Sequence, residues 1–212
     1  MEEVFPRVVF YIAGIPVRNT VVSTWITMAV IIGAAWLAQR RAPALVEMLI
    51  DFLRSTIGDV MGGIDPDPFV PFLGSLIIFL LLANNIGVVP MVHTPTKDIN
   101  APAALAIVVF LAVYVFGVRQ KGLLGYLKEL LTPMLVLDLI GDVSRTVSMS
   151  LRLFGNIIAT EIVVAVIYRL VKPIAPLTMV VLGMVTGVLQ AYIFMVLATS
   201  AISSAVQPRN PK

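Results

Sequence analysis

Arg152 is the residue whose type and position most demand a chemical explanation. It lies in the segment Ser150-Leu151-Arg152-Leu153-Phe154-Gly155-Asn156, within a chain that is apolar almost throughout. A charged side chain near the centre of a bilayer costs at least about 2.5–3.5 kcal/mol, so its default interpretation is functional. A guanidinium does not release a proton in a protein, but it attracts carboxylates and repels cations. The sequence therefore predicts an electrostatic role for Arg152 and not a role as a proton carrier.

Further polar residues fall on the same predicted helix as Arg152. One stripe of this helix, defined by spacings of three, four and seven residues, carries Asp138, Asp142, Arg145, Ser148, Arg152 and Asn156. Glu161 follows Arg152 by nine residues, which places it near the opposite face and about 13 Å farther along the helix axis. Carboxylates therefore lie on both sides of Arg152, at different depths and on different faces.

This distribution favours two offset aqueous half-channels that meet only near Arg152. A carboxylate can accept and release a proton as its surroundings change, whereas the arginine is a fixed electrostatic barrier. An ion crossing such a protein needs a mobile carrier on a partner to pass between the half-channels. Gln190 lies halfway along the next predicted helix, at the depth of Arg152 in an antiparallel neighbour. Its side chain either joins the two helices or holds the guanidinium through its carbonyl oxygen.

Structural interpretations of the charged residues stay open at this point. Asp142 and Arg145 have the spacing of an i,i+3 ion pair. Arg152 could pair with Asp138 or Asp142, although a reach over two or more helical turns is awkward.

The remaining polar residues also have structural alternatives. Glu161 could be a neutral carboxyl that bonds a neighbouring helix, and Ser148 could bond the carbonyl one turn earlier. Asn84 and Asn85, inside the second apolar segment, could join helices or line a channel.

The composition defines the class of protein. Of 212 residues, 59% are hydrophobic and only 13% are charged, against about 25% charged in soluble domains. We therefore expect an integral membrane protein. The absence of Cys and the single His make a metal site improbable, and no cofactor is expected. The net charge of +3 is scattered along the chain, so a nucleic-acid partner is not expected. No cleavable signal peptide is expected either, since the first residues lack a basic n-region followed by an apolar run.

Apolar segments predict an all-α polytopic membrane protein with about five crossings. We expect an extracytoplasmic segment over 1–18, three membrane helices within 19–118 with an interfacial amphipathic helix near 43–61, a cytoplasmic hook over 119–135, two long helices over 136–206 and a cytoplasmic tail over 207–212. The last two helices exceed the length of an upright span, so we expect them to be tilted and antiparallel.

Loop charges predict the orientation. With the N-terminus outside, eight basic residues fall on the cytoplasmic side and five fall outside. The positive-inside rule thus favours a multi-pass protein, in a bacterial plasma membrane, with its N-terminus outside and its C-terminus in the cytoplasm.

Two segments carry a resemblance to a known family. The Arg152 segment followed by Glu161, together with Leu189-Gln190-Ala191-Tyr192-Ile193-Phe194-Met195-Val196-Leu197, closely resembles subunit a of F-type ATP synthases. The resemblance extends to the first helix, the Asn84-Asn85 end of the second and the hook. It implies that the protein is a non-catalytic, ion-translocating stator subunit. No glycine-rich phosphate loop for ATP chemistry is present.

The resemblance also implies partners and roles for individual residues. The partners are a rotating ring of c subunits, peripheral-stalk b subunits and the lipid bilayer. Arg152 would face the carboxylates of the ring, with Asn156 beside it and Gln190 as its polar partner. Glu161 would line the outer half-channel, whereas Asp138 would lie in the inner one and Ser148 near its path. On the stripe itself, we expect an ion that leaves on the inner side to pass Asp138 and Asp142.

The resemblance has departures and leaves the ion open. Some members have a His seven residues before the Gln, where this chain has Gly183, and some have acidic residues where this chain has Asn84-Asn85. The proton is favoured as the ion, with Na⁺ as the alternative, because the selective site lies largely on the c ring. A stand-alone secondary transporter is a weaker rival, since the sequence shows no convincing repeat between its halves. A non-transporting assembly scaffold, in which Arg152 would be dispensable, is a further rival.

Overall fold

A computed structural model of the chain describes residues 8–12, 15–88, 94–122, 135–170 and 174–207. Its elements are β1 (Val8–Ile12), β2 (Ile15–Arg18), α1 (Asn19–Arg41), α2 (Pro43–Met61), α3 (Val70–Asn85), α4 (Asn100–Lys121), α5 (Leu135–Leu170) and α6 (Ile174–Val206), with short 3-10 helices at Ile86–Val88 and Pro95–Lys97. The predicted helical membrane fold is confirmed.

Within the described ranges, five helices are long and apolar enough to cross a membrane. They cover Asn19–Arg41, Val70–Val88, Asn100–Lys121, Ile140–Ile167 and Thr178–Val206. The helix α2 is not among them, because Glu47, Asp51, Arg54 and Asp59 interrupt its apolar residues. The number of helices able to cross thus agrees with the sequence analysis, and the chain is an integral multi-pass membrane protein.

The helix α2 is amphipathic and packs one stripe against the bundle. Pro43 occupies its first turn, where no backbone N–H is needed, and Gly62 ends it with a φ of 63°. Leu53, Ile57 and Met61 recur every four residues and are buried against the core. The core therefore continues from the spans into this helix.

The core lies where α3, α4, α5 and α6 meet. Leu73 and Leu80 from α3, Leu153 from α5, and Phe194 and Met195 from α6 are all at most 1% exposed. The two segments that carry the family resemblance therefore both contribute residues to the core. Their packing holds α5 against α6 near Arg152.

The two last helices are long and antiparallel. They contain 36 and 33 residues, which corresponds to about 54 and 50 Å of helix. Asn156 contacts Gln190, and Thr160 faces Gly183 farther along, so residue numbers rise on one helix as they fall on the other. Helices of this length can fit a hydrocarbon core of about 30 Å only at an angle or by extending beyond it.

A small β-hairpin precedes the first helix and was not predicted. The strands β1 and β2 pair antiparallel, with Val8 opposite Arg18 and Ile12 opposite Ile15. Arg18 stands at the junction with α1, where its side chain bonds Asp98. The hairpin therefore covers the end of the bundle at which α1 begins, which we call the hairpin end.

Parts of the predicted hook and tail lie outside the described residues. The helix α4 continues to Lys121 and ends at Gly122, whose φ of 75° suits glycine. The rest of the hook up to residue 134, and residues 208–212 of the tail, are not described.

Candidate functional site

Arg152 lies near the middle of α5 on an exposed, mainly apolar face. Its side chain is exposed, as is Ser148 one turn earlier. Leu151, the preceding residue, is 54% exposed, and Leu189 on α6 is 55% exposed. Within the described ranges, no carboxylate lies within 4 Å of this guanidinium. The described carboxylates therefore leave the guanidinium free to meet a group from another molecule.

Asn156 and Gln190 join α5 to α6 close to Arg152. The Nδ2 of Asn156 donates a hydrogen bond of 2.9 Å to Oε1 of Gln190. Gln190 is only 2% exposed, because α6 turns this side chain into the bundle. The carbonyl oxygen of Gln190 thus bonds the amide one turn beyond Arg152, a geometry that favours its role in joining the helices.

The first half of α5 carries Asp142 and Arg145, both half-buried. The backbone carbonyl of Asp142 accepts a hydrogen bond from Thr146. Among the ion pairs of the described chain, none joins Asp142 to Arg145. Asp138 lies on α5 one turn earlier, but its side chain is outside the described residues. The predicted acidic entrance at this end of α5 therefore stays a prediction.

Glu161 lies toward the hairpin end and pairs with a residue that the sequence analysis did not select. Its Oε2 is 3.5 Å from Nζ of Lys97, whose side chain is 2% exposed against 26% for Glu161. The two residues are 64 positions apart. No periodicity connects a loop residue to a helix at that distance, so only the folded structure brings them together.

Residues 94–98, which we call the Lys97 segment, are buried among the helices at the hairpin end. Thr96 donates a hydrogen bond of 3.0 Å to Oδ1 of Asn84, and Asn84 donates one of 3.0 Å to the carbonyl oxygen of Gly187. Asn84 thus ties the segment to α3 and α6. This geometry favours joining of elements over channel lining for Asn84.

Asn85 differs from its neighbour. Its Nδ2 bonds the carbonyl oxygen of Leu81, whereas its buried Oδ1 has no hydrogen-bond partner among the described residues. A buried amide oxygen normally accepts a hydrogen bond, so this atom is available to a water or an ion at the hairpin end.

Asp98 anchors the other side of the Lys97 segment. Its Oδ2 accepts a 2.8 Å bond from Arg18, and its Oδ1 accepts bonds from the backbone and side chain of Asn100. Burial acts to raise the pKa of this carboxyl, but the bonds from Arg18 and Asn100 outweigh it, so the pKa lies below its ordinary value. The segment is therefore held on both sides of Lys97.

Glycines allow α6 to approach its neighbours closely at this end. A Cβ on Gly183 would lie 2.5 Å from Cγ2 of Thr160, and one on Gly187 would lie 3.2 Å from Cβ of Asn84. The position at which some members of the resembled family have His is therefore occupied here by a close contact between α5 and α6.

Comparisons with known proteins agree with the family resemblance of the segments around Arg152 and Gln190. The family model described as ATP synthase A chain matches residues 21–203. The chain is 40% identical to ATP synthase subunit a 2 of Picosynechococcus sp., over 97% of this chain and 94% of that protein. It is 40% identical to ATP synthase subunit a 2 of Bradyrhizobium sp., over 93% and 92%. It is 32% identical to ATP synthase subunit a of Legionella pneumophila, over 96% and 93%.

Proposed function

The chain belongs to the ATP synthase A chain family, and we propose that it is the stator subunit that passes ions to a c ring through two half-channels separated by Arg152. Family membership makes it an ion-translocating subunit of the ATP synthase membrane sector, one that assembles with other subunits of the enzyme. Such a subunit is non-catalytic, and the ATP chemistry belongs to other subunits.

The exposure of Arg152 is the observation that carries this proposal. A guanidinium on the apolar face of a membrane-length helix is costly against lipid, so a partner with a complementary charge must cover it. A ring of subunits that presents carboxylates within the membrane satisfies this requirement. Each carboxylate that is ionised is attracted to Arg152, and a cation is repelled from the same place.

The two half-channels would open on opposite sides of this barrier. Glu161 lies about 13 Å beyond Arg152 along α5, toward the hairpin end. Asp138 and Asp142 lie toward the opposite end of α5. An ion entering past Glu161 would neutralise a ring carboxylate, which could then face lipid at low cost. After nearly a full turn of the ring, the ion would leave toward Asp138 and Asp142.

Three further polar residues would support the barrier. Asn156 and Gln190 hold α5 against α6 and so fix the height and direction of Arg152. Ser148 is exposed one turn before Arg152, on the path toward Asp142. Its hydroxyl can offer both a donor and an acceptor to an ion or to water there.

Orientation and further partners complete the proposal. The hairpin end would face the outside of a bacterial plasma membrane, with the C-terminus in the cytoplasm, as the loop charges indicate. The b subunits of the peripheral stalk would hold the protein still against the torque of the ring.

The decisive test is Arg152→Ala in the assembled enzyme, reconstituted in vesicles. Because the side chain is exposed, we expect the variant to assemble, to hydrolyse ATP and to lose ATP-driven ion pumping. Leu151→Ala, which shortens the exposed apolar side chain next to Arg152 in the chain without touching the charge, is the matched control. Retained pumping in Arg152→Ala would overturn the proposed mechanism.

The proton is the ion that we propose. Measuring ATP-driven transport in vesicles with and without Na⁺, over a range of pH, tests this choice. Transport that continues at full rate without Na⁺ supports the proton, and transport that stops without Na⁺ supports the alternative.

A further inference from the structure

Lys97 stands out because it is buried and charged, yet lies outside both family-like segments of the sequence. Its ammonium is 3.5 Å from the Glu161 carboxylate, and its side chain is 2% exposed. A lysine is almost never fully buried without a charged or hydrogen-bonding partner. Its position beside a carboxylate on the proposed ion path therefore calls for a role in that path.

The structure fixes the position of Lys97 from both sides. Thr96 is bonded to Asn84 on α3, and Asp98 is bonded to Arg18 and Asn100. A lysine on an unrestrained loop would lose side-chain entropy when it pairs with a carboxylate, and such pairs at a protein surface contribute little to stability. Here the hydrogen bonds of Thr96 and Asp98 already hold the backbone, so the fold positions the ammonium next to Glu161.

Other charged groups do not compete for Glu161 in the described part of the chain. The helices α3 and α6 contain no Asp, Glu, Lys, Arg or His, and the charged residues of α4 lie at its far end. Arg18 and Asp98 face this end from α1 and the Lys97 segment, and they pair with each other. On α6, Gly183 brings no side chain toward Glu161.

We propose that Lys97 is the resident counter-cation of Glu161 and that each ion entering this half-channel displaces it from the carboxylate. This inference rests on the proposed function. Between ions, the ammonium gives the Glu161 carboxylate a partner of opposite charge within the chain. An arriving cation competes with a tethered one, so it binds weakly and moves on quickly. Lys97 thus acts as a positioning residue that prevents the Glu161 carboxylate from binding the transported ion too tightly.

The test measures ATP synthesis by the assembled enzyme in vesicles, at a fixed membrane potential, while the cation concentration on the Glu161 side is varied. One arm varies pH without Na⁺, and the other varies Na⁺ at constant pH. In the arm that supports synthesis, Lys97→Met should lower the half-saturating cation concentration by about tenfold or more, because a neighbouring opposite charge shifts carboxyl affinity by that order. The maximal rate should fall as release slows.

Two control variants separate this role from a structural one. Lys97→Arg keeps the charge and should restore the wild-type half-saturation. Arg54→Met removes a positive charge that pairs with Asp67 and not with Glu161, and it should leave the half-saturation unchanged. An unchanged half-saturation in Lys97→Met would overturn the inference, as would an equal shift in Arg54→Met.

Misassembly of Lys97→Met would also be informative. Removing one member of a buried pair leaves an uncompensated charge, whereas removing both does not. The double variant Lys97→Met/Glu161→Gln should therefore assemble even if Lys97→Met does not, and failure of both would overturn the inference. If Arg152→Ala still pumps ions, the proposed function fails. If Arg152→Ala is inactive and Lys97→Met has wild-type half-saturation, only the role of Lys97 fails.

Discussion

The positively charged side chains of Arg152 and Lys97 lie in opposite surroundings within the same helical bundle. The guanidinium lies on an exposed face, whereas the ammonium is buried against Glu161. An exposed charge in the membrane needs a partner from another chain, whereas the buried charge already has a partner within its own chain. On the proposed function, the first would contact the ring and the second would lie on the entry path.

Arg152→Lys tests the shape of the charge at the barrier. Lysine keeps the positive charge but loses the planar fork that holds a carboxylate through two parallel hydrogen bonds. We expect ATP-driven pumping to fall by at least about tenfold, which corresponds to about 1.4 kcal/mol in the barrier. Pumping rates of the reconstituted enzyme measure the effect. A wild-type rate would show that charge alone is sufficient.

The Asn156–Gln190 bond makes a separate prediction for a pair of residues. Asn156→Leu and Gln190→Leu should each destabilise the α5–α6 contact, and the double variant should cost less than their sum. Coupling energies for such bonds within membranes average about 0.6 kcal/mol and reach about 1.7 kcal/mol. A double-mutant cycle on denaturant-induced loss of the subunit from the complex measures this coupling. Strict additivity would show that the hydrogen bond contributes nothing.

The contact between α5 and α6 depends on Gly183. Thr160 cannot move away freely, because its hydroxyl bonds the carbonyl oxygen of Asn156. We expect Gly183→Ala to destabilise the contact by about 1–3 kcal/mol through overpacking. Gly141→Ala on α5 is the control, since a Cβ there meets nothing within 4 Å. The temperature at which the complex loses this subunit should fall only for Gly183→Ala, and equal behaviour of both variants would contradict the packing argument.

The hairpin and the Lys97 segment should respond to acid through Asp98. Because the pKa of Asp98 is depressed in the folded chain, its pair with Arg18 stabilises the hairpin fully above the ordinary carboxyl pKa of about 3.9. This contribution is lost as the pH falls through the lower, folded-state value. Hydrogen exchange of the hairpin amides, corrected for intrinsic rates, should show protection decreasing only in that range. Asp98→Asn should show low protection at every pH tested.

Elements with a strong apolar signal were predictable from the sequence, and contacts made by loops were not. Five long apolar segments specify the spans, although the one on α5 also carries charged residues, because a bilayer demands length and apolarity from each helix separately. The hairpin was missed although two apolar runs flank Ala13-Gly14, since short strands resemble ordinary extracytoplasmic loops. Lys97 was missed as a partner of Glu161 because only tertiary packing brings the Lys97 segment between the helices.

As a whole, the molecule divides its polar residues between two ends and one exposed face. The hairpin end holds the paired groups around Glu161, and the start of α5 holds Asp142. Between them, the exposed face carries Arg152 among apolar residues. Glu161 lies near the opposite face of α5 from the stripe that carries Asp142 and Arg152, so the carboxylates of the two ends do not share one face. On the proposed function, an ion would need the rotating ring to complete its path, and we therefore expect ion flow to be coupled to rotation.

The orientation of the whole molecule is predicted from its basic residues and is open to a direct test. The chain contains no Cys, so a single introduced Cys is the only target for a thiol reagent. Tyr11, on β1, is 69% exposed, and Asp59, on α2, is also exposed. In intact cells, a membrane-impermeant maleimide should label Tyr11→Cys but not Asp59→Cys, and permeabilised cells should show both. The reverse pattern would invert the topology and would place the Lys97–Glu161 pair on the cytoplasmic half-channel instead.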